Sequence, residues 1–550
     1  MSRRELRLAE EHVPLGMVDT HPPVWTGAVP RLRGTALGAW GIPIGVAVLA
    51  FVVLWISTNP LAGTTNDPDA AASVLYFQRL VSGTRLEAFV PVTPKPLLTV
   101  AYGLLWQLTH DWRALTLFTV VVGAAVVGLA AAFARRLAGL AAAVFIATAL
   151  LIWPDFRVEV AHANSFVVAL ALWLLSGLFV TAGRPRLTAA GITLLAAGLV
   201  RPETVWLLAA AAVGIVVLAI LQMAGRDADP RRYLPLLAGV VAIPIICLHD
   251  LLLTGQPLYW LHVPDGYTVL RFPTLGPIGL DAFGDSLQSL YGPSLALVIL
   301  AAIGLVGLVR ARQWAAAGGL AFMVAGVVVT LAILGLRGTF VDTRYYEELN
   351  APLLVAAAVG IGAIVGWISH VTRAEQRSAG QLRFIAFGAI GIWSALAVAW
   401  PQTAPAVASA SLDRWREANA DLSGIIATLP PGVETATGSA LPVAGVAYPV
   451  ADPGTCLIYV PRQLFYRIAV ETGAGLTALG DSYLAFRDGT SRTLHEGQWV
   501  LHIAATDGRG GQYAPFEVAA PTVMRSATGT PLFVNPVVVR TGRDVWLVRA

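Results

Sequence analysis

The sequence predicts a mainly α-helical, polytopic membrane protein that ends in a small α/β domain. Three observations predict it. Of its 550 residues 56% are hydrophobic and only 13% charged, whereas a soluble domain carries about 25% charged residues. Apolar runs recur at the length of roughly 20 residues that crosses a bilayer, and the mean hydropathy is +0.68. After residue 401 the pattern changes to short strand-like runs broken by Gly, Pro and Asp, the punctuation of turns.

Taken in order, the apolar runs fall near 36–58, 114–134, 138–153, 165–183, 187–200, 203–222, 233–253, 293–310, 314–336, 351–369 and 384–401. They make about eleven transmembrane helices by the length rule. The first run follows "SRRELRLAEEH" and "RLR" in residues 1–35, too long and too late for a cleaved signal peptide. It reads as a retained first span behind a cytoplasmic N-terminal segment.

Positive charge gives the orientation. The N-terminal segment, Arg135-Arg136, "GRPR" at 183–186, "GRDADPRR" at 225–232, "RARQ" at 310–313 and "RAEQR" at 373–377 all fall on one side of the span list, which makes that side cytoplasmic. The run 96–110, "PLLTVAYGLLWQLTH", would reverse every later loop if it crossed. It is therefore read as an interfacial helix on the outer leaflet, a choice made with the same charge rule. The outer side then receives 59–113, 154–164, 254–292, 337–350 and the region 402–550. In that region "SLDRWREANADLSGIIATLP" reads as an amphipathic helix, and "CLIYV", "QWVLHIAA", "PLFVNPVVV" and "DVWLVRA" as strands.

The net charge of +4 says little about nucleic acid, because arginine in short loops sets orientation; no nucleic-acid partner is expected. Cys247 lies in an apolar run and Cys456 in the polar region, without a CxxC or His/Cys metal spacing. Basic residues are almost all arginine and Ala, Gly and Val are abundant, the composition of a GC-rich bacterial genome. The expected location is the bacterial inner membrane.

The candidate functional residues concentrate on the outer side. In the first outer loop, "NDPD" holds Asn66, Asp67 and Asp69 ahead of "AAASVLYFQRLVSG". Asp69 suits the N-cap of that short helix, which leaves Asp67 the slightly preferred general base; either carboxylate can take a proton from an attacking hydroxyl. Lys95, the only lysine in the chain, stands between two prolines that restrict its backbone. It suits an anionic phosphate as a point charge, or a headgroup reached by snorkelling. "RPE" places Arg201 and Glu203 at a helix end, where charges must face the protein interior. They read as an ion pair closing the hairpin, or else Glu203 faces a polar cavity or the acceptor and Arg201 a lipid-linked phosphate, for which a guanidinium is well suited. "DTRYYEELN" adds Arg344 as a second phosphate candidate, with Tyr345, Tyr346, Glu347 and Glu348 beside it. Asp155, Glu159, His162 and Asn164 in the 154–164 loop, and His262 and Asp265 in "YWLHVPDGY", are candidates for the cavity wall or acceptor contacts, or serve only to solvate their loops. No HExxH, Walker, GxGxxG or GxSxG pattern stands in its required context.

In these motifs the chain resembles the polyprenyl-phosphate-dependent glycosyltransferases of the GT-C fold, of the protein O-mannosyltransferase and aminoarabinose transferase type. The resemblance runs in order over roughly 36–370: "NDPD" for the acidic motif of the long first outer loop, "KPLL" at 95–98 for an "HPPL"-like element, "ARRLAG" at 134–139, "RPE" at 201–203, "TGQPLYW" at 254–260 and "RYYEELNAPLL" at 344–354. Two departures stand out: "NDPD" replaces the commoner Asp-Glu pair, and Lys95 replaces a common His. The resemblance implies an inverting transfer of a sugar from a polyprenyl phosphate to an envelope glycan, lipid or protein outside the cytoplasm. Asp67 or Asp69 would activate the acceptor, and Lys95, Arg201 and Arg344 would stabilise the leaving phosphate. Some members of the family use a divalent metal; the residues here give no ligand set that argues for one. The competing readings are a transporter or flippase, which would show discontinuous helices and internal repeats, and a non-catalytic envelope-assembly subunit.

Overall fold

The computed structural model describes residues 36–61, 68–225, 229–271, 283–285, 287, 295–339 and 347–374. In the C-terminal part it describes 422, 424–429, 432–441, 450–451, 455–481, 497–503, 516–520, 523–526, 531–534, 537–542 and 545–549. Within these the chain is mainly α-helical. α1 (Ala36–Thr58) leads to two short helices, α2 (Pro68–Ser82) and α3 (Pro96–Thr109). The bundle continues with α4 (Arg113–Ala138), α5 (Leu140–Ile152), α6 (Pro154–Ala161), α7 (Ser165–Val180), α8 (Leu187–Gly198) and α9 (Val205–Met223). A 3-10 stretch (Arg231–Val241) runs into α10 (Ala242–Thr254), followed by α11 (Tyr259–Arg271), α12 (Leu295–Arg310), α13 (Trp314–Leu336) and α14 (Glu347–Ala374).

Among the described residues six helices are long and apolar enough to cross a membrane, seven if the bent pair α5–α6 is one span, and α7, α8 and α12 are shorter apolar helices. The chain is thus a multi-pass membrane protein. Every span proposed from the sequence has its helix except 384–401, which lies outside the described residues. Following the chain up and down the bundle puts α2, α3, α6, α11 and the starts of α9 and α14 at one end, the site end. Arg135, Arg136 and Arg310 close their helices at the other, the arginine end.

Two close contacts show how the bundle is drawn together. A Cβ on Gly304 of α12 would stand 1.9 Å from the carbonyl oxygen of Ala356 in α14, and one on Gly360 2.1 Å from that of Leu300. Small residues let backbones approach where lipid supplies no hydrophobic drive between helices. Likewise Gly103 of α3 lies against the ring of Phe77 in α2, where a Cβ would meet the ring carbon at 2.0 Å. α3 also leaves Val100 (47%), Leu104 (46%) and Leu108 (80%) exposed, four residues apart on one face. At 14 residues α3 is about 21 Å long.

The sequence reading of 154–164 as a loop is corrected. Pro154, at a position where its missing N–H costs nothing, opens α6, which turns 63° from α5. The reading of 254–292 as a loop is corrected in part, because α11 occupies Tyr259–Arg271 with Pro264 inside it.

In the C-terminal part the strands are β1 (Ala440–Leu441), β2 (Val450–Ala451), β3 (Ile458–Val460), β4 (Leu479–Asp481), β5 (Trp499–Ile503), β6 (Phe516–Ala520), β7 (Val523–Ser526), β8 (Pro531–Val534), β9 (Val537–Gly542) and β10 (Val545–Arg549), with α15 (Arg462–Thr472) between β3 and β4. A five-stranded sheet of order β4-β3-β5-β10-β9 is parallel where β3 meets β4 and β5 and antiparallel at β10. The "CLIYV", "QWVLHIAA", "PLFVNPVVV" and "DVWLVRA" runs thus hold strands. The amphipathic helix proposed for 411–430 lies mostly outside the described residues.

Candidate functional site

The site begins with the join of α2 and α3. Lys95 immediately precedes Pro96, the first residue of α3, and is 7% exposed. Its Nζ donates to Asp69 Oδ2 at 2.7 Å. α2 starts at Pro68, so Asp69 belongs to the helix's first turn, where a carboxylate is favoured by the helix dipole. The expectation that Asp69 is the N-cap is thereby corrected: it sits inside the helix, with its carboxylate on Lys95. Asp67 and Asn66 lie outside the described residues.

The connection between the two helices is held from beneath. The Tyr76 hydroxyl donates to the Val92 carbonyl at 2.6 Å. The Tyr259 hydroxyl accepts from Val90 N–H and donates to Val90 O, at 2.9 and 2.8 Å. Leu86 N–H donates to Leu253 O at 2.9 Å. Burial, reinforced by the negative or ionisable neighbours Tyr259, Tyr466, Asp69 and Asp250, pushes the Tyr76 phenol well above its ordinary value.

Arg201 follows α8 in extended conformation and is 8% exposed. Its Nη1 donates to Glu348 Oε1, from the first turn of α14. Glu203 Oε1 stands farther off at 3.6 Å. The Arg201–Glu203 ion pair expected from the sequence is thus present, and a buried carboxylate from a distant helix, Glu348, is the nearer partner. Leaving either member of such a buried pair alone costs several kcal/mol. The two charged pairs are joined through the backbone, Leu97 N–H donating to Leu199 O at 3.3 Å. That bond links the residue two after Lys95 to the residue two before Arg201.

The α6–α7 corner lies against α3. Tyr102 Oη donates to Ala163 O at 2.8 Å. Asp155, Glu159, His162 and Asn164 are each 1% exposed. None of them lies on the protein surface. Asp155 Oδ2 accepts from Trp153 Nε1 at 3.0 Å, and Asn164 Oδ1 accepts from Phe166 N–H at 2.9 Å, capping α7. His262 is half-buried on α11. Asp265, three residues on, ties α11 to the end of α13 through Arg337 (2.6 Å) and Thr339 (2.9 Å). Arg344, Tyr345 and Tyr346 lie outside the described residues, and of Glu347 only its place in α14 is described.

Sequence reasoning passed over His249 and Asp250. Asp250 is fully buried, and its Oδ2 accepts from Trp260 N–H at 2.8 Å while Oδ1 stands 3.8 Å from His249 Nδ1. The signal was present: an acidic residue within an apolar span is costly there and calls for a partner. Among the described residues no three His, Cys, Asp or Glu side chains stand together to hold a metal ion.

Fold and site together define a multi-pass membrane protein with two neighbouring buried carboxylate–cation pairs at one end of its bundle. No protein-family model matches the chain, and no curated protein matches it in sequence. Among solved structures it is similar to ArnT from Cupriavidus metallidurans in the apo state, with 14% identity over 93% of this chain and 98% of that chain and a TM-score of 0.44. It is also similar to the Archaeoglobus fulgidus oligosaccharyltransferase. The apo form shares 13% identity over 84% of this chain and 69% of that chain, TM-score 0.49. The form tethered to an acceptor peptide with the NVT sequon shares 13% over 85% and 70%, TM-score 0.47.

Proposed function

We propose that the protein is an integral membrane glycosyltransferase that moves a sugar from a polyprenyl-phosphate donor to an envelope glycan, lipid or protein acceptor. The site end and the C-terminal part face away from the cytoplasm of a bacterial inner membrane. The observation that carries this reading is the Lys95–Asp69 pair at 2.7 Å, joined to the Arg201 segment by the Leu97–Leu199 bond.

A paired Lys95 and Asp69 suit a transfer that begins with an anionic ligand. A donor phosphate arriving at Lys95 takes the place of the carboxylate, with Arg201 as a second cation. Asp69 is then released to act as base. The acceptor hydroxyl gives its proton to that carboxylate while its oxygen forms a bond to the anomeric carbon from the face opposite the phosphate. The bond from carbon to phosphate oxygen breaks, polyprenyl phosphate leaves with the electron pair, and the configuration inverts. Lys95 and Arg201 oppose the charge that grows on the leaving oxygen. Asp67 and Arg344 are the second base and the third phosphate contact in the same scheme. On this reading the starts of α3 and α9 hold the cations at the depth of the headgroups, where a lipid phosphate resides.

The test is transfer by the purified protein from a panel of polyprenyl-phosphate sugars. Asp69→Asn and Lys95→Ala are expected each to lower turnover by about 10²–10⁴, with Asp67→Asn as the comparison. Wild-type turnover in Asp69→Asn, Asp67→Asn and their double variant would sink the reading.

A further inference from the structure

Away from the charged pairs, a cavity of about 880 Å³ opens between α7, α9 and α13. Along α7 its wall runs from Leu170 to Thr181; at 1.5 Å per residue that is about 17 Å, more than half of a hydrocarbon core of roughly 30 Å. Nearly all of the wall is apolar. Trp173 and Pro352 close the end nearer the site, and Arg136 and Arg312 stand at the arginine end. They are the only charged residues among the described lining residues, and no carboxylate accompanies them. Arg136 is exposed in the last turn of α4, and its Nη1 donates to the Leu178 carbonyl at 3.1 Å, which holds the guanidinium over the mouth.

A second observation comes from α9. Only 11% of its most apolar stretch is buried within the protein, against 67% for α4. Part of that open face lines the cavity, where Val213 and Val217 are 46% and 49% exposed.

We infer that this cavity is a binding site for one anionic glycerophospholipid, drawn from the leaflet at the arginine end. Its phosphate lies between Arg136 and Arg312, and its acyl chains fill the slot against α9. Guanidinium groups bind phosphate oxygens through paired N–H donors, and anionic headgroups concentrate where basic residues meet a leaflet. With no carboxylate among the described lining residues, nothing there offsets that preference. The inference stands apart from the transferase reading: a prenyl chain whose phosphate sat at Arg201 would enter from the opposite end.

The protein, purified in mild detergent and exchanged against phosphatidylglycerol or phosphatidylcholine, is read by native mass spectrometry. The wild type is expected to retain one phosphatidylglycerol with about tenfold preference. Arg136→Gln with Arg312→Gln should erase the preference. Gly214→Phe should remove the bound lipid altogether while the melting temperature holds, because Gly214 lines the cavity and a Cβ there meets nothing within 4 Å. Equal retention of both lipids by the wild type overturns the inference, as does an unchanged preference in the arginine double variant. Displacement of phosphatidylglycerol by equimolar polyprenyl phosphate assigns the slot to a prenyl chain and overturns it too. If the double variant fails to fold, a retained lipid in Gly214→Phe decides against the site.

Discussion

Trp112 Nε1 donates a 2.6 Å hydrogen bond to Glu471 Oε1, 359 positions further along the chain. The same carboxylate oxygen accepts from Arg467 Nε at 2.6 Å, and the Arg467 guanidinium stands 5.8 Å from the Trp112 ring. The turn between α3 and α4 is thus fastened to α15 of the C-terminal part. Bonds to charged groups contribute about 1.5–3 kcal/mol. Glu471→Ala is expected to lower the melting temperature in detergent more than Trp112→Phe, which keeps the ring beneath Arg467. Equal melting temperatures for Glu471→Ala and the wild type would mean the contact does not bind the two parts together.

The Lys95–Asp69 pair is expected to be non-additive. With side chains only 8% and 13% exposed, each single change leaves a largely buried charge alone, a loss of about 3 kcal/mol at the low end of what buried pairs show. Lys95→Met with Asp69→Asn removes both charges and should cost less than the two singles together. A double-mutant cycle by chemical denaturation reads the coupling; simple additivity would mean that the two groups are not paired in the folded protein.

Tyr76 carries a pH signature. Burial first, and then its neighbours, raise its folded-state value above the ordinary phenol, which ionises near pH 10 in an unfolded chain. A group with a raised folded value contributes its full stability below the unfolded value. That stability is lost as pH rises from about 10 toward the folded value. The protein should therefore lose stability above about pH 10, and Tyr76→Phe should flatten that loss. At neutral pH the variant gives up only the bond to Val92, about 0.5–1.5 kcal/mol. Melting curves across the alkaline range check both.

Gly304 and Gly307 lie one turn apart on α12 and should differ. A Cβ at Gly304 meets a backbone oxygen at 1.9 Å, whereas at Gly307 it meets the Ala363 Cβ at an ordinary 3.5 Å. Gly304→Ala must spread α12 from α14, at a cost of about 1–3 kcal/mol, and Gly307→Ala should be nearly neutral. Paired thermal unfolding measurements separate them.

The exposed stripe of α3 tests how the surface helices meet the bilayer. A probe attached at Leu104→Cys should be quenched by lipid-borne quenchers, and one at Arg85→Cys, in the connection before α3, should not. Equal quenching of both would remove the interfacial placement of α3.

Much of the bundle was legible because period and length leave few alternatives: a run such as 314–336, apolar on all sides, has no other stable state in water or lipid than a buried or spanning helix. The join of Lys95 to the acidic loop was legible in kind, since a lone lysine among arginines and an acidic tetrapeptide are both unusual. The pairing of Arg201 with Glu203 was legible too, but its nearer partner was not. Glu203 is two residues away in sequence, whereas Glu348 reaches it only once α14 has packed, and residue spacing does not encode that encounter. The α6 helix was misread because a proline after an apolar run signals an ending as well as a beginning. Asp155, Glu159 and His162 look like loop residues until α6 folds them beneath the surface helices.

The Leu97–Leu199 link between the Lys95 and Arg201 segments passes from one peptide group to another. The bond itself therefore does not depend on which side chains stand at 97 and 199, and proline at 97, which lacks the donor, would cut it. Related chains can then drift widely in sequence at this seam while the spacing between their two cations stays fixed.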